Sequence, residues 1–456
     1  CLALALAATG AFAQGRPAPE LDGGRLQRAS NRAAAYLLGK QAPDGSFPNR
    51  HDGEYPGGAE ALVALALLEA GTPAGDPALG KTLKLLRGLS PELTYTRSLR
   101  TMVLSRLSGK EDRRLLAEDV RWLVRQQHRT GGWGYGPRSA MTRLRPDWTD
   151  ASNTQMALLA LREAVAGGGA VPPVAWTRSA AYWRSFRNKD GGWGYQPVSA
   201  NDPPTRPDSH GSMTAAGVAS CLILSDMFAR GRAGGPEAGQ DPLGGHIAGG
   251  LKWLKGNYRI DKVPHYTWTV QSAQLPYYLH TLLRVGDLAG LPELAGRDYA
   301  ADIATALVRS QDKNGSWHDS VIDTAFSLLC LRRASATLAI DAIATGPAQP
   351  VGDRAVATLA RWLGRRMGTP VAWRCISAKG AVQAPLAYLD LTGRGDWPTD
   401  LNAPLKTHLR AGGVCLVRLG AVDGRRRFAA DAFGKLLPGL RAGPLPEDHP
   451  VFRMPL

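Results

Sequence analysis

Cysteine is scarce in this chain: 456 residues include five, and no two of them form a C-x-x-C pair. This excludes the dense cysteine frameworks of small disulfide-rich domains and of cysteine-ligated zinc sites. We therefore expect the cysteines of the mature chain to be buried free thiols. The formal net charge is +16, but no segment combines a dense basic run with stacking aromatic residues. We expect no specific nucleic-acid binding.

A long membrane-spanning run is also missing at the N-terminus, where the apolar stretch is short. Residues 2–9 are apolar, and Ala11-Phe12-Ala13 forms an A-x-A cleavage site before Gln14. This pattern is typical of the end of a secretory signal peptide, which we assign to residues 1–13, with the basic n-region missing. Such a run is too short to cross a bilayer. We expect an exported protein, periplasmic or extracellular, with no transmembrane segment.

The chain does contain a repeated loop in which an aromatic residue follows glycine. Three copies read Gly-Gly-Trp or Gly-Ser-Trp and reach Trp133, Trp193 and Trp317, and a fourth has Phe47 at that point. Helical apolar periodicity flanks each loop. Because one helix pair cannot bury its apolar face alone, such units stack on their neighbours.

Six helix pairs are predicted between residues 24 and 340, a number that can close into a ring. The predicted pairs are 24–40 with 59–70, 77–89 with 93–107, 112–127 with 152–166, 173–187 with 212–230, 245–258 with 269–285, and 296–311 with 320–339. The second helices are rich in small apolar residues on nearly all sides, which predicts an inner ring. The first helices carry more charge, including Glu118 and Asp119, which predicts an outer, solvated ring.

Beyond residue 340 the pattern changes. Residues 341–352 are rich in Ala, Thr, Gly, Pro and Gln and are predicted to be a linker. In residues 353–456 short apolar runs alternate with helices, which predicts a small parallel α/β sheet. The predicted strands are 371–376, 386–391 and 414–419, and the predicted helices are 353–367 and 401–410. Because no closing element is evident, we expect this domain to be truncated.

The Gln-x(3–6)-Gly-x-Trp loops resemble the QW repeats of squalene/hopene cyclases, and more widely the α/α-toroid superfamily of terpenoid cyclases and protein prenyltransferases. The resemblance covers about residues 24–340 and implies a mainly α fold, an (α/α)6 toroid. In that superfamily the Gln and Trp of such loops clamp one repeat to the next. The matching clamp residues are Gln41, Phe47, Gln127, Trp133, Trp193, Gln311 and Trp317.

The C-terminal part resembles an uncharacterised flavodoxin-like module, related to glutamine amidotransferases, that follows such toroids in exported bacterial proteins. The matching stretches are 384–393, 405–419 and 446–452. An amidotransferase would need a cysteine on a strand-to-helix elbow, whereas Cys375 and Cys415 lie inside predicted strands. The resemblance implies no activity.

The acid motif of the cyclases is absent. Class II cyclases protonate a polyene with Asp-x-Asp-Asp, and the nearest match here is Asp147-Trp148-Thr149-Asp150. Asp150 is a good N-cap candidate for the helix that follows. Acid catalysis by Asp147 or Asp150 is the alternative, and it would require an apolar neighbourhood that holds the proton at neutral pH.

The zinc set of the prenyltransferases is also incomplete. Those enzymes use an Asp, a Cys and a His near the starts of inner helices, and Ser209 and Ser320 stand where the Cys would be. His210, His318 and Asp323 would bind zinc through N and O ligands if they met at one mouth of the ring. The other interpretation is that they cap helices and line a wet rim, with His210 and Asp323 as further catalytic candidates. We predict no cofactor, with zinc as the alternative.

The leading hypothesis is an exported, non-catalytic binding or scaffold protein with an apolar central cavity, because the repeats are intact while the catalytic motifs are missing. The sequence leaves its ligand open among an apolar small molecule, a glycan and a protein. The alternative is an enzyme at the toroid rim, either a terpenoid-cyclase- or prenyltransferase-like transferase or isomerase, or a polysaccharide lyase. The fold alone does not decide between them.

Overall fold

The computed structural model describes residues 23–49, 53–137, 139–144, 148–196, 208–229, 242–266, 274–344, 354–391, 397–418, 431 and 434–436. The chain divides into a helical unit, residues 17–288 and 293–335, and a second unit that contains residues 336–456 and 289–292. The signal peptide predicted for residues 1–13 lies outside the described residues and stays a prediction.

The described residues of the helical unit contain the twelve helices predicted from the sequence and one short additional helix. Its helices are α1 (Gly23–Gly39), α2 (Gly58–Glu69), α3 (Pro77–Gly88), α4 (Thr94–Leu104), α5 (Lys110–Gln126), α6 (Ala140–Leu144), α7 (Ala151–Ala166), α8 (Pro173–Ser185), α9 (Gly211–Ala229), α10 (Gly244–Gly256), α11 (Gln274–Ala289), α12 (Tyr299–Ser310) and α13 (Val321–Ala334). The second helix of each pair is the more buried one. In α2 residues 58–67 are all buried, and in α9 residues 211–227 are.

The pairs follow one another around a closed ring. Helix α2 packs on α4, α4 on α7, α7 on α9, and the last inner helix, α13, packs back on α2. Helix α11 meets α13 where the rings of Tyr277 and Phe326 lie 5.7 Å apart. The outer helix α1 of the first pair also packs on α13. The helical unit is therefore consistent with the predicted α/α toroid.

Helix α9 is long and apolar enough to cross a membrane by length and composition, and it is the one helix of the described ranges with this property. However, 89% of the qualifying stretch is buried inside the protein. Because an inner helix of a ring contacts neighbours on every side, it is apolar all round without any lipid. We interpret α9 as a core helix.

The outer ring differs from the prediction at Asp119, which is fully buried rather than solvated. Its Oδ1 accepts a hydrogen bond from Nη1 of Arg97 at 2.6 Å, and its Oδ2 accepts one from Nε of Arg100 at 2.9 Å. Both arginines lie on α4, which packs against α5. A buried carboxylate is tolerated here because two guanidinium groups compensate its charge.

The part of the second unit that the structure describes contains a four-stranded parallel sheet of β1 (Thr337–Ile343), β2 (Val371–Ile376), β3 (Leu386–Asp390) and β4 (Val414–Arg418), with helices α14 (Arg354–Met367) and α15 (Asn402–Arg410). The strand order β2-β1-β3-β4 is the beginning of the flavodoxin-like order. Strand β1 was not predicted. It occupies residues that the sequence analysis assigned to the end of a helix and to the linker, and residues 345–352 of that linker lie outside the described residues.

Candidate functional site

The tryptophan of each repeated loop joins the two helices of its own pair. The indole Nε1 of Trp133 donates to the Leu123 carbonyl at 2.8 Å, that of Trp193 to Trp183 at 3.0 Å, and that of Trp317 to Leu307 at 3.1 Å. Every acceptor lies ten residues upstream, at the end of the outer helix. The backbone N–H groups of the three tryptophans donate to Thr154, Thr214 and Thr324 on the inner helices. All three indoles are at most 2% exposed.

Phe47 occupies the same position without an indole N–H. Its side chain is fully buried, and its backbone N–H donates to Oε1 of Glu60 on α2 at 2.9 Å. The carboxylate of Glu60 thus takes the place of the threonine hydroxyl of the other loops. The first loop therefore keeps the bond to its inner helix and lacks the indole bond to its outer helix.

Three of the four loops carry a glutamine, and each of these glutamines contacts the next pair in the ring. Nε2 of Gln41 donates to the Ala78 carbonyl on α3 at 2.8 Å, and Nε2 of Gln127 donates to Ala175 on α8 at 2.9 Å. Nε2 of Gln311 donates to Ala29 on α1, also at 2.9 Å. This last bond joins the sixth pair to the first, 282 residues earlier in the chain. The glutamines therefore link successive outer helices, and Gln311 contributes to closing the ring.

The same loops place tyrosines at the amino-terminal ends of the inner helices. The carbonyl of Tyr135 accepts the N–H of Thr94 at 2.8 Å, and the carbonyl of Tyr195 accepts that of Ala151 at 2.9 Å. Thr94 and Ala151 are the first residues of α4 and α7. Each tyrosine carbonyl therefore satisfies an N–H that the inner helix of the preceding pair leaves without an intrahelical acceptor.

The side chains of these tyrosines meet at this mouth of the ring. The hydroxyl groups of Tyr135 and Tyr195 are 2.7 Å apart, and the ring of Tyr55 lies 6.5 Å from that of Tyr135. Tyr55, Tyr95, Tyr135 and Tyr195 are half-buried. We call these four, with Tyr277 beneath them, the tyrosine cluster. Burial, followed by the nearby Asp150 carboxylate, raises the pKa of Tyr135 and of Tyr195, so both hydroxyls stay protonated.

Beneath the mouth the ring interior is polar. The hydroxyl of Tyr277 on α11 donates to Oε1 of Gln155 on α7 at 2.6 Å and lies 3.3 Å from the hydroxyl of Ser152. Helices α7 and α11 are separated in the ring by α9, so this bond crosses the interior. The sequence led us to expect an apolar central cavity. At this end of the ring that expectation is wrong, because polar side chains line the interior.

Asp150 is the N-cap of α7, one of the two roles that the sequence left open. Its Oδ1 accepts the backbone N–H of Asn153 at 2.8 Å, and its Oδ2 accepts the side-chain amide of the same residue at 2.8 Å. The carboxyl group is fully buried, and desolvation raises its pKa to about 6. It thus also holds a proton more readily than an ordinary aspartate. Asp147 lies outside the described residues.

The remaining candidates form separate groups. Nδ1 of His318 lies 2.9 Å from Oδ2 of the buried Asp323. His210 contacts Tyr266, with 5.4 Å between their rings, and burial lowers the pKa of His210 to about 4. Within the described ranges no three His, Cys, Asp or Glu side chains are close enough to hold a metal ion. The structure therefore does not bring His210 together with His318 and Asp323.

Sequence reasoning assigned no role to Tyr135 and Tyr195. A signal was available, because each stands two residues after the tryptophan of its loop, in the shared string Gly-Gly-Trp-Gly-Tyr. A tyrosine at one fixed offset in two repeats must take equivalent places in neighbouring pairs. Their proximity could have been inferred from the repeat, although the hydroxyl contact could not.

No family model matches the chain, and the comparison with curated proteins gave no match. Among solved structures, the chain is similar to a possible member of the GH105 family from Klebsiella pneumoniae, with 11% identity, 70% of this chain and 94% of that chain covered, and a TM-score of 0.46. It is also similar to a glycoside hydrolase family 76 (mannosidase) protein from Bacteroides thetaiotaomicron, with 9% identity, 68% and 98% covered, and a TM-score of 0.46. A polysaccharide lyase matches with 9% identity, 68% and 89% covered, and a TM-score of 0.37.

None of these three structures is described as a terpenoid cyclase. The resemblance to cyclases thus stays one of loop sequence. Matches this remote assign no role to any residue of this chain.

Proposed function

We propose that the helical unit binds a carbohydrate chain at the tyrosine cluster. The observation that carries this proposal is the pair of half-buried tyrosines, Tyr135 and Tyr195, whose hydroxyls lie 2.7 Å apart at the mouth of the ring beside Tyr55. A sugar ring has apolar C–H faces and a rim of hydroxyl groups. A tyrosine offers the matching combination, an apolar face and a polar hydroxyl.

Other ligand classes fit the cluster less well. The Tyr135 and Tyr195 hydroxyls bond to each other, and an apolar molecule would cover the second O–H of the pair without giving it an acceptor, which costs free energy. An anionic polymer would meet protonated tyrosines near the buried Asp150 carboxyl, and the five cluster residues include no cation. A neutral sugar chain satisfies the hydroxyls and needs no counter-charge. This proposal keeps the binding role expected from the sequence and selects the glycan among the three ligand classes that the sequence left open.

Cleavage of the bound glycan is a second candidate function, and Asp150 favours it. Glycosidases keep one carboxyl group protonated near neutral pH so that it can protonate the leaving oxygen. Asp150 has a pKa raised to about 6 by burial. Both of its oxygens bond to Asn153, so it would act through its charge, which raises the pKa of Tyr135 and of Tyr195, rather than on the sugar directly. Tyr135 and Tyr195 would then be the groups that touch the substrate.

The binding proposal is tested by calorimetric titration of a panel of neutral and acidic oligosaccharides. Removal of one hydroxyl, in Tyr135→Phe or Tyr195→Phe, should weaken binding of the recognised sugar by about tenfold, the value of one or two hydrogen bonds. Tyr258→Phe is the matched control, because its hydroxyl donates to Asp302 on the outer helix α12, outside the cluster. Equal affinity in all three variants, or no binding of any sugar, would refute the proposal.

The cleavage proposal has its own readout. New reducing ends in the incubated oligosaccharide would show cleavage, and an absorbing unsaturated product would distinguish a lyase from a hydrolase. We expect Asp150→Asn to lower the rate while leaving affinity nearly unchanged. If the bound oligosaccharide stays intact, the protein binds glycans without cleaving them.

A further inference from the structure

The opposite end of the ring carries a network of buried charges that the tyrosine cluster does not use. Glu69 ends α2, Arg106 follows α4, and Glu163, Asp287 and Arg333 lie in the last turns of α7, α11 and α13. These are the carboxyl ends of the inner helices, where the helix dipole favours cations. All five groups therefore meet at one end of the toroid.

Each carboxylate in this network already has a guanidinium partner. Nε of Arg106 donates to Oε1 of Glu69 at 3.0 Å, and the same side chain lies 3.9 Å from Oε2 of Glu163. Arg333 pairs with Asp287. No carboxylate in these contacts is left over to balance a further cation.

Arg284 is a further cation. It lies one turn before Asp287 on α11 and is 6% exposed, yet no carboxylate of the described residues lies within ion-pair distance of it. Its Nε has no hydrogen-bond partner there, and its Nη2 is 3.4 Å from Nε2 of the equally buried His280. Burial, followed by the nearby Arg333, lowers the pKa of Arg284 to about 9. An unpaired buried guanidinium is costly, because burial removes its water without supplying a counter-charge.

Two more arginines lie at this end of the ring, on α7 and α13. Nη1 of Arg162 lies 3.5 Å from Oε1 of Glu163, and Nε of Arg332 donates to the backbone carbonyl of Glu69. Of these arginines, Arg106 and Arg162 both approach Glu163, and Arg332 donates to a backbone carbonyl. An oxyanion beside Arg284 would supply a counter-charge to that buried guanidinium and give its Nε the acceptor that it lacks.

We propose that Arg284, with His280 beside it, binds a small oxyanion inside the ring at the carboxyl ends of the inner helices. A carboxylate or a phosphate would suit this site, since both accept bidentate hydrogen bonds from a guanidinium group. Arg284 is 6% exposed, and its neighbours Arg106, Glu69 and Asp287 are partly exposed, at 18%, 24% and 40%. This site is separate from the tyrosine cluster, so either proposal can fail without the other.

The test is thermal unfolding of the full chain in inorganic phosphate, sulfate or acetate, each titrated at constant ionic strength. Binding to the folded state raises Tm in a saturable manner. We expect Arg284→Gln to abolish that rise and to be more stable than the wild type without the anion, because the unpaired charge is gone. Arg259→Gln is the control, since Arg259 is an exposed partner of Asp261. Saturation by acetate alone would identify a carboxylate site, and saturation by phosphate or sulfate alone a tetrahedral one.

Two results would overturn the proposal: no saturable rise in the wild type with any of the three anions, or an unchanged rise in Arg284→Gln. If Arg284→Gln fails to fold, His280→Phe replaces it, because that variant keeps the guanidinium and removes only the ring nitrogens of the neighbouring imidazole. We expect the phosphate midpoint of His280→Phe to increase by about tenfold, the value of a lost charge-assisted hydrogen bond. An unchanged phosphate midpoint in that variant would also refute an anion site formed by Arg284 and His280.

Discussion

The sharpest test of the ring concerns Gly131, which brings the third loop against the next outer helix. Its φ is +93°, and an added Cβ would lie 1.9 Å from the carbonyl oxygen of Arg178 on α8. Gly131→Ala therefore imposes two separate costs. A left-handed conformation costs alanine about 1–2 kcal/mol. Displacing the α8 backbone adds about 1–3 kcal/mol, as overpacking does elsewhere. The sum is about 2–5 kcal/mol.

Gly168→Ala is the matched control, because it isolates the conformational cost. Gly168 has a φ of +89° and nothing within 4 Å of an added Cβ. We expect it to lose about 1–2 kcal/mol, and the difference between the two variants to measure the contact between the loop and α8. Chemical denaturation followed by tryptophan fluorescence gives both values, since the loop indoles are buried. If Gly131→Ala lowers the free energy of unfolding no more than Gly168→Ala does, the loop does not pack tightly against α8. The contact that we assign between the third and fourth helix pairs would then be wrong.

Two further predictions follow from buried carboxyl groups. The pKa of Asp150 is raised from 3.8 to about 6, so the folded state favours its protonated form, and the wild type should lose about 2 kcal/mol relative to Asp150→Asn as pH rises from 4 to 7. Denaturation of both proteins at several pH values checks this, and parallel stability curves would disprove it. Asp119→Ala should cost about 3–5 kcal/mol, because it leaves Arg97 and Arg100 buried without a counter-charge. The adjacent Glu118→Ala, which breaks an exposed pair with Arg114, should cost under about 1 kcal/mol in the same denaturation assay, and similar losses in both would contradict the burial argument.

The helix pairs could be predicted from the sequence because their signals are local. Apolar periodicity and a Gly-Trp loop lie within one segment, and the indole acceptor is ten residues from the tryptophan. Strand β1 was missed for the opposite reason. It starts three residues after α13 ends, and its Leu338, Ile340 and Ile343 suit the end of an apolar helix as well as a strand. Only pairing with β2 and β3 on either side selects the extended form.

The candidate site could be predicted less well, because its contacts join distant residues. Tyr135 and Tyr195 are 60 positions apart, and Tyr277 and Gln155 are 122 apart. The prediction for Asp119 failed for the same reason. The charged sequence of its own helix predicts a solvated position, but two arginines of the neighbouring helix α4 bury it. Residue type and spacing indicated the N-cap at Asp150, because a cap depends on the next three residues only.

The loops also explain why the hydroxyls of the site can be tested without disturbing the ring. The carbonyl of Trp133 accepts the N–H of Asp150 at 3.1 Å, and two residues later the carbonyl of Tyr135 accepts that of Thr94 at 2.8 Å. Backbone bonds thus fix both ends of this short segment to two different inner helices. Gly134 between them has no room for a side chain, because a Cβ would lie 2.2 Å from the Trp148 carbonyl. The position of Tyr135 therefore does not depend on its hydroxyl, and Tyr135→Phe should alter binding while leaving the fold in place.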